Sequence, residues 1–174
     1  AGVQGSGASH ALVSTDSHAN ILGSIGAFGQ GMGDQDIAHA FAHGKVWFQV
    51  PPSIKVNVKG QPSPLATPKD IILALNKHFG ANGLLGFSAE FYGAYVDSLP
   101  LAGRITLASM ATEMGAIIAL FPPNQSVLDY CKTVSGRNFK AVYADPDASY
   151  AQTVTVDITG VKPMISLPAH PEDS

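Results

Sequence analysis

Cysteine is nearly absent: Cys131 is the single one in 174 residues. No disulfide can form within the chain, which suits a reducing compartment. Charge is sparse as well, at 13% of residues, against about a quarter in ordinary globular proteins. A surface so poor in charge is expected to be covered in part by other protein. The net charge of −3 carries no basic stripe, so nucleic acid is not expected as a partner. No apolar run approaches the ~20 residues of a membrane span, so a membrane is not expected either. The N-terminal residues lack a charged region followed by an apolar one, so no secretory signal is expected. Together these absences point to the cytoplasm, or to the mitochondrial matrix for a eukaryotic source.

The length fits one domain, or one domain with part of a neighbour. Residues 1–10 are small and Gly/Ser-rich, like a linker or an appended tail, and are set aside from fold reasoning. Ala11-Leu12-Val13-Ser14 reads as a short buried strand. It runs into Thr15-Asp16-Ser17-His18, which places an acid, a hydroxyl and an imidazole where α/β proteins bind ligands. A glycine-rich segment, Gly23 to Gly33, follows. It lacks the phosphate-loop pattern, so close packing is the better reason for its glycines.

Asp34-Gln35-Asp36 starts a helix that stops near Gly44. His39 and His43 on it are four residues apart, a zinc-compatible spacing. With no glutamate between them and no third ligand, they read as exposed helix histidines. Pro51-Pro52 breaks the chain and is the best internal boundary. Ser53 to Gly60 alternates as a strand. Thr67-Pro68-Lys69-Asp70 is a strong helix start, and the helix ends at Gly80. His78 lies in its last turn, where its charge suits the helix end.

Leu84 to Tyr92 is expected to be a strand carrying Glu90, which reads as an edge or solvent-facing acid. Pro100 to Gly115 is expected to be one helix, with Leu101, Ile105, Ala108 and Thr112 on one stripe and Arg104, Ser109 and Glu113 on another side. A strand over 116–121, a helix capped by Asn124 and closed by Gly136, and a strand over 153–158 complete the chain. Strands alternating with helices indicate an α/β protein, in three α/β/α layers around a mixed or mostly parallel sheet.

Two places stand out chemically: Asp16-Ser17-His18, and Glu113. A histidine beside a carboxylate handles protons well. A Ser-His-Asp hydrolase triad is disfavoured, because adjacent residues at one strand end do not form a relay and no G-x-S-x-G elbow is present.

These residues sit in motifs that resemble the aconitase superfamily. Thr15-Asp16-Ser17-His18 is followed by Gly29-Gln30-Gly31-Met32-Gly33, then Thr67-Pro68-Lys69-Asp70-Ile71-Ile72-Leu73, then Gly86 through Tyr92-Gly93. Gly103-Arg104-Ile105-Thr106-Leu107 leads to Thr112-Glu113-Met114-Gly115-Ala116. The order matches the large subunits of 3-isopropylmalate dehydratase, homoaconitase and 2,3-dimethylmalate dehydratase, over roughly residues 11 to 170.

The resemblance implies an aconitase-like fold, with residues 11–50 ending a first domain and 51–174 forming a second. It implies a hydro-lyase that removes and re-adds water on hydroxylated di- or tricarboxylic acids, using a [4Fe-4S] cluster held by three cysteines. Ser17 would contact substrate, His18 would pair with Glu113, Asp16 would pair with an upstream histidine, and Ser109 would replace an asparagine near the cluster. His10 is the only histidine upstream and is not assigned. One cysteine cannot hold such a cluster, so this chain is expected to bind no cofactor and no metal by itself and to be inactive alone. Its expected partners are the remaining aconitase-type domains or a small swivel subunit, and a small carboxylic acid. Self-association through uncovered faces is also expected. The alternatives are a cluster-free binding or interaction module of the same fold, and an independent cluster-free enzyme.

Overall fold

The computed structural model describes residues 11–168. The assignments of residues 1–10, including His10, and of 169–174 lie outside the described residues. Strand β1 (Ala11–Ser14) leads into a 3-10 helix (Ser17–Ile25), β2 (Phe28–Gly31) and α1 (Asp34–His43). β1 and β2 pair in parallel, Ala11 opposite Phe28 and Ser14 opposite Gly31, as a two-stranded sheet. Both strands therefore end on the same side. The intervening helix returns across them with its backbone in contact with β2. A Cβ on Gly29 would overlap the carbonyl oxygen of Ala19, and one on Gly31 would lie 2.8 Å from the Ser17 Cα. Close packing is thus the reason for these glycines.

Beyond an irregular segment at 44–52, β3 (Ser53–Lys59), α2 (Pro68–Phe79), β4 (Ser88–Tyr92), α3 (Ala94–Ser98) and α4 (Leu101–Ala108) follow. A second 3-10 helix (Thr112–Met114), β5 (Ile118–Leu120), α5 (Gln125–Ser135) and β6 (Gln152–Asp157) complete the order. The second sheet has four strands in the order β5-β4-β3-β6, every pair parallel. The expected α/β class holds, and the sheet is parallel throughout.

Alternation in β3 divides the sheet's faces. Ile54, Val56 and Val58 are buried with Phe91, Val156, Ile71, Ile72, Leu75 and Leu107, so α2 and α4 cover this face. Lys55 and Asn57 point the other way, beside Glu90, Tyr92 and Thr153. Over that polar face run residues 143–150 of the segment between α5 and β6.

The Thr67 start behaves as read. Asp70 Oδ2 accepts hydrogen bonds from the Thr67 backbone N–H at 2.6 Å and from its hydroxyl at 2.7 Å. Asp70 Oδ1 also accepts the Met164 N–H at 2.7 Å, tying the C-terminal segment to the helix start. Gly44 and Gly136 close α1 and α5, and Asn124 accepts the Val127 N–H.

Two expectations need correction. The strand expected from Leu84 is confined to 88–92, because residues 81–86 turn instead, with Gly86 at φ 78°. The helix expected over 100–115 ends at Ala108. Met110 and Ala111 then bond back three residues, to Leu107 and Ala108, so the chain tightens into 3-10 turns. The buried stripe also differs from the expected one. Arg104, Leu107, Ala108, Ala111 and Met114 face inward, whereas Ile105 and Thr112 are exposed. Arg104 has no exposed surface at all. Its guanidinium donates to the carbonyls of Pro122 (2.8 Å), Val96 (3.2 Å) and Leu99 (3.3 Å). Burial lowers its pKa, and the Asp97 charge opposes that shift.

Candidate functional site

The ends of β1 and β2 build one side of a cleft of about 210 Å³. Thr15 and Ser17 come from the β1 end, Gln30 through Gly33 from the β2 end, and Thr112 and Ile117 from the segment before β5. This is the region outside the carboxyl ends of parallel strands, where α/β sheets present ligands. The two 3-10 helices touch, which brings the neighbours Ser17-His18 and Thr112-Glu113 to one locality.

Asp16 organises the β1 end. Its N–H donates to the Ser14 hydroxyl at 3.0 Å. Its Oδ1 accepts the His18 backbone N–H at 2.8 Å, capping the 3-10 helix, and meets the His18 ring Nδ1 at 3.1 Å. The backbone bond first and the ring bond second hold the Asp16 carboxyl below its usual pKa. An ionised carboxylate only accepts, so the Nδ1 facing it carries the proton. The neutral ring then keeps Nε2 as its lone-pair nitrogen. Both side chains are more than half exposed, so the pair organises the ring rather than stabilising the fold.

Glu113 lies half-buried in the second 3-10 helix, and its Oε2 accepts the Thr112 hydroxyl at 3.1 Å. Ser109 caps the end of α4 and donates to the Thr106 carbonyl at 3.0 Å. His18 and Glu113 are thus each engaged by a sequence neighbour, and no hydrogen bond or ion pair joins them among the described residues. Ser17 lines the cleft and makes no hydrogen bond to the His18 ring.

Thr112 and Gln30 line the cleft, although neither was assigned a role from the sequence. Their signal was position alone: one precedes Glu113, the other sits inside the Gly29-to-Gly33 run. Asn20 was also missed. It is buried, and neither polar atom of its side chain has a hydrogen-bond partner. In a 3-10 helix residues three apart share a face, so Asn20 lies one turn behind Ser17.

The other singled-out residues lie elsewhere. The His39 and His43 rings are 4.4 Å apart on an exposed face of α1. His78 sits edge-on to Phe79. Glu90 is not a free edge acid: its Oε2 accepts the hydroxyls of Tyr92 (2.7 Å) and Tyr150 (2.9 Å).

An iron–sulfur cluster needs several thiolates. The chain has one thiol, Cys131 on α5, and burial raises its pKa. Among the described residues no group of three His, Cys, Asp or Glu side chains could hold a metal ion. The donor set does not fit a cluster. No helix among them is long and apolar enough to cross a membrane.

The order of motifs along this geometry extends to whole proteins. The "3-isopropylmalate dehydratase large subunit" of Oleidesulfovibrio alaskensis is 40% identical over 162 residues, covering 93% of this chain and 38% of that protein. The "Probable methanogen homoaconitase large subunit" of Methanothermobacter thermautotrophicus is 37% identical over 157 residues, covering 90% of this chain and 37% of that protein. The "3-isopropylmalate dehydratase large subunit" of Clostridium kluyveri is 37% identical over 163 residues, covering 94% and 39%. The chain therefore spans under two-fifths of the length of these curated relatives. A family model described as "Aconitase family (aconitate hydratase)" matches residues 5–174. A match of that extent, with the acid, hydroxyl and imidazole at the β1 end, shows that the chain belongs to the aconitase family.

Proposed function

We propose that this chain forms one wall of the active site of a hydro-lyase acting on a hydroxylated di- or tricarboxylic acid. The observation that supports this best is the cleft at the ends of β1 and β2, where Ser17 and Thr112 face one space beside His18 and Glu113. In this reading Ser17 offers its hydroxyl to a substrate carboxylate. His18, with its Nδ1 proton directed at Asp16, presents Nε2 to accept or return a proton. Glu113 exchanges its bond to Thr112 for one from His18 Nε2–H once that nitrogen has taken up a proton in the complete site. Asp16 and Ser109 support the ring and the end of α4. Asn20, buried and unpartnered behind Ser17, has donors and an acceptor available for a bound water or a group from another part of the enzyme.

The enzymes this chain resembles use a [4Fe-4S] cluster. Its thiolates would come from outside these residues, from further aconitase-type domains or a small subunit, and the chain alone would be inactive. Residues 11–50 and 51–174 would belong to successive domains of the complete protein, with the irregular segment at 44–52 between them.

The test is Glu113→Gln in the complete enzyme, assayed for dehydration. Loss of turnover with intact substrate binding is expected. Unchanged turnover would remove Glu113 from the chemistry. A structure of the complete enzyme should bring His18 and Glu113 within hydrogen-bond reach.

A further inference from the structure

A second cleft opens on the polar face of the four-stranded sheet. It measures about 430 Å³ and shares no lining residue with the cleft at Ser17. Its floor is laid out by strand register. Lys55 on β3 lies opposite Thr153 on β6 and Glu90 on β4, and Asn57 lies two residues further along the same face. Tyr92, Tyr143 and Tyr150 bring rings to its wall.

Lys55 faces Glu90 across the strands, yet the two form no ion pair. The tyrosine hydroxyls of Tyr92 and Tyr150 both donate to Glu90 Oε2 and are 3.2 Å from each other. Burial, together with hydrogen bonds to Tyr150 and Glu90, pushes the Tyr92 hydroxyl pKa up, so it stays protonated as a donor. The Lys55 ammonium instead lies over the faces of Tyr92 (4.9 Å) and Tyr150 (5.5 Å). The rings attract the cation through their faces, and its N–H groups meet no acceptor among the described residues. The side chains of Asn57 and Thr153 likewise make no hydrogen bond with any described residue. Three donors therefore converge, one of them cationic, with aromatic walls beside them.

We propose that this cleft is a binding site for a small organic monocarboxylate. The carboxylate would take hydrogen bonds from Lys55, Asn57 and Thr153, and its body would lie against the tyrosine rings. Asp145, which also lines the cleft, and Glu90 beside Lys55 disfavour a second negative charge. The volume is that of an ordinary small-molecule pocket.

The experiment measures binding of benzoate to the full-length protein by calorimetry, with benzamide and inorganic phosphate as comparison probes. Benzoate is expected to bind at least tenfold more tightly than either. Lys55→Met should weaken benzoate at least tenfold, Lys55→Arg should keep most of the affinity, and Ser17→Ala should leave it unchanged. A melting curve for each variant separates loss of binding from loss of fold, and Thr153→Val provides a second, milder removal of a donor. Equal benzoate affinity in the wild type and Lys55→Met overturns the proposal. So does benzamide or phosphate binding as tightly as benzoate, or loss of benzoate binding in Ser17→Ala.

Discussion

Asp16 Oδ1 receives two donors from one residue, the His18 backbone N–H and the His18 ring Nδ1. The same oxygen thus caps a helix and fixes an imidazole tautomer. Removing it should release both. Asp16→Ala is expected to shift the tautomer balance of His18, read from its ring nitrogen chemical shifts, and to lower turnover of the complete enzyme about tenfold or more. His18→Ala should cost roughly 100-fold or more in turnover, the lower end of what a positioned proton donor or acceptor contributes. A wild-type tautomer in Asp16→Ala would show that the carboxylate does not set the ring.

Gly29 has the Ala19 carbonyl oxygen where a side chain would stand. Gly29→Ala should push β2 and the 3-10 helix apart, costing about 1–3 kcal/mol as overpacking does. At about 2–4 °C per kcal/mol for a chain of this size, thermal melting resolves that loss. Gly33→Ala is the control. Its φ is −64°, and an added Cβ would meet only Asp36 Oδ2, at 3.5 Å, so only the loss of a favoured N-cap residue, about 0.5–1 kcal/mol, is expected.

Arg104 is buried and holds three carbonyl oxygens from the α3 end and Pro122. Arg104→Met keeps much of the volume and strands those acceptors. A loss of about 3 kcal/mol or more is expected in denaturant unfolding, since each buried unmet acceptor costs roughly 1–3 kcal/mol. Arg104→Lys should recover little, because a compact ammonium lacks the planar fork that spans three directions.

The carboxyl of Asp70 is held below its ordinary pKa, chiefly by the Thr67 backbone N–H, then by the Met164 N–H and the Thr67 hydroxyl. Its folded pKa lies below its unfolded value of about 3.9, so its contribution is present above pH ~4 and fades as pH falls through the lowered folded pKa. Asp70→Asn should cost about 1–2 kcal/mol at neutral pH. The difference from wild type should shrink on acidification. A difference that holds constant to pH 2 would mean the charge is not what matters.

The residues that could be read from the sequence were those whose partners are near in the chain. The Thr67-to-Asp70 cap spans four residues. Gly44 and Gly136 close helices through backbone conformation alone. The alternation of Ile54, Val56 and Val58 exposes a strand period directly. Arg104 could not be read this way, since its acceptors lie up to 18 residues away. Glu90 was misjudged for the same reason: Tyr150, which engages it, is 60 residues distant.

The sequence by itself determined the family, the α/β alternation and the presence of Asp16, Ser17 and His18 at a strand end. These follow from local order: hydrophobic period, caps and motif spacing. Only the tertiary structure decided that the helix after Pro100 breaks at Ala108, that Thr112 faces the cleft of Ser17, and that Lys55 makes no ion pair among the described residues. Each depends on which distant surfaces meet. Packing against the first 3-10 helix and α2 chose the buried side of α4 over the stripe that its composition suggested, and the path of the segment before β6, which no local pattern encodes, brought Tyr150 to Glu90.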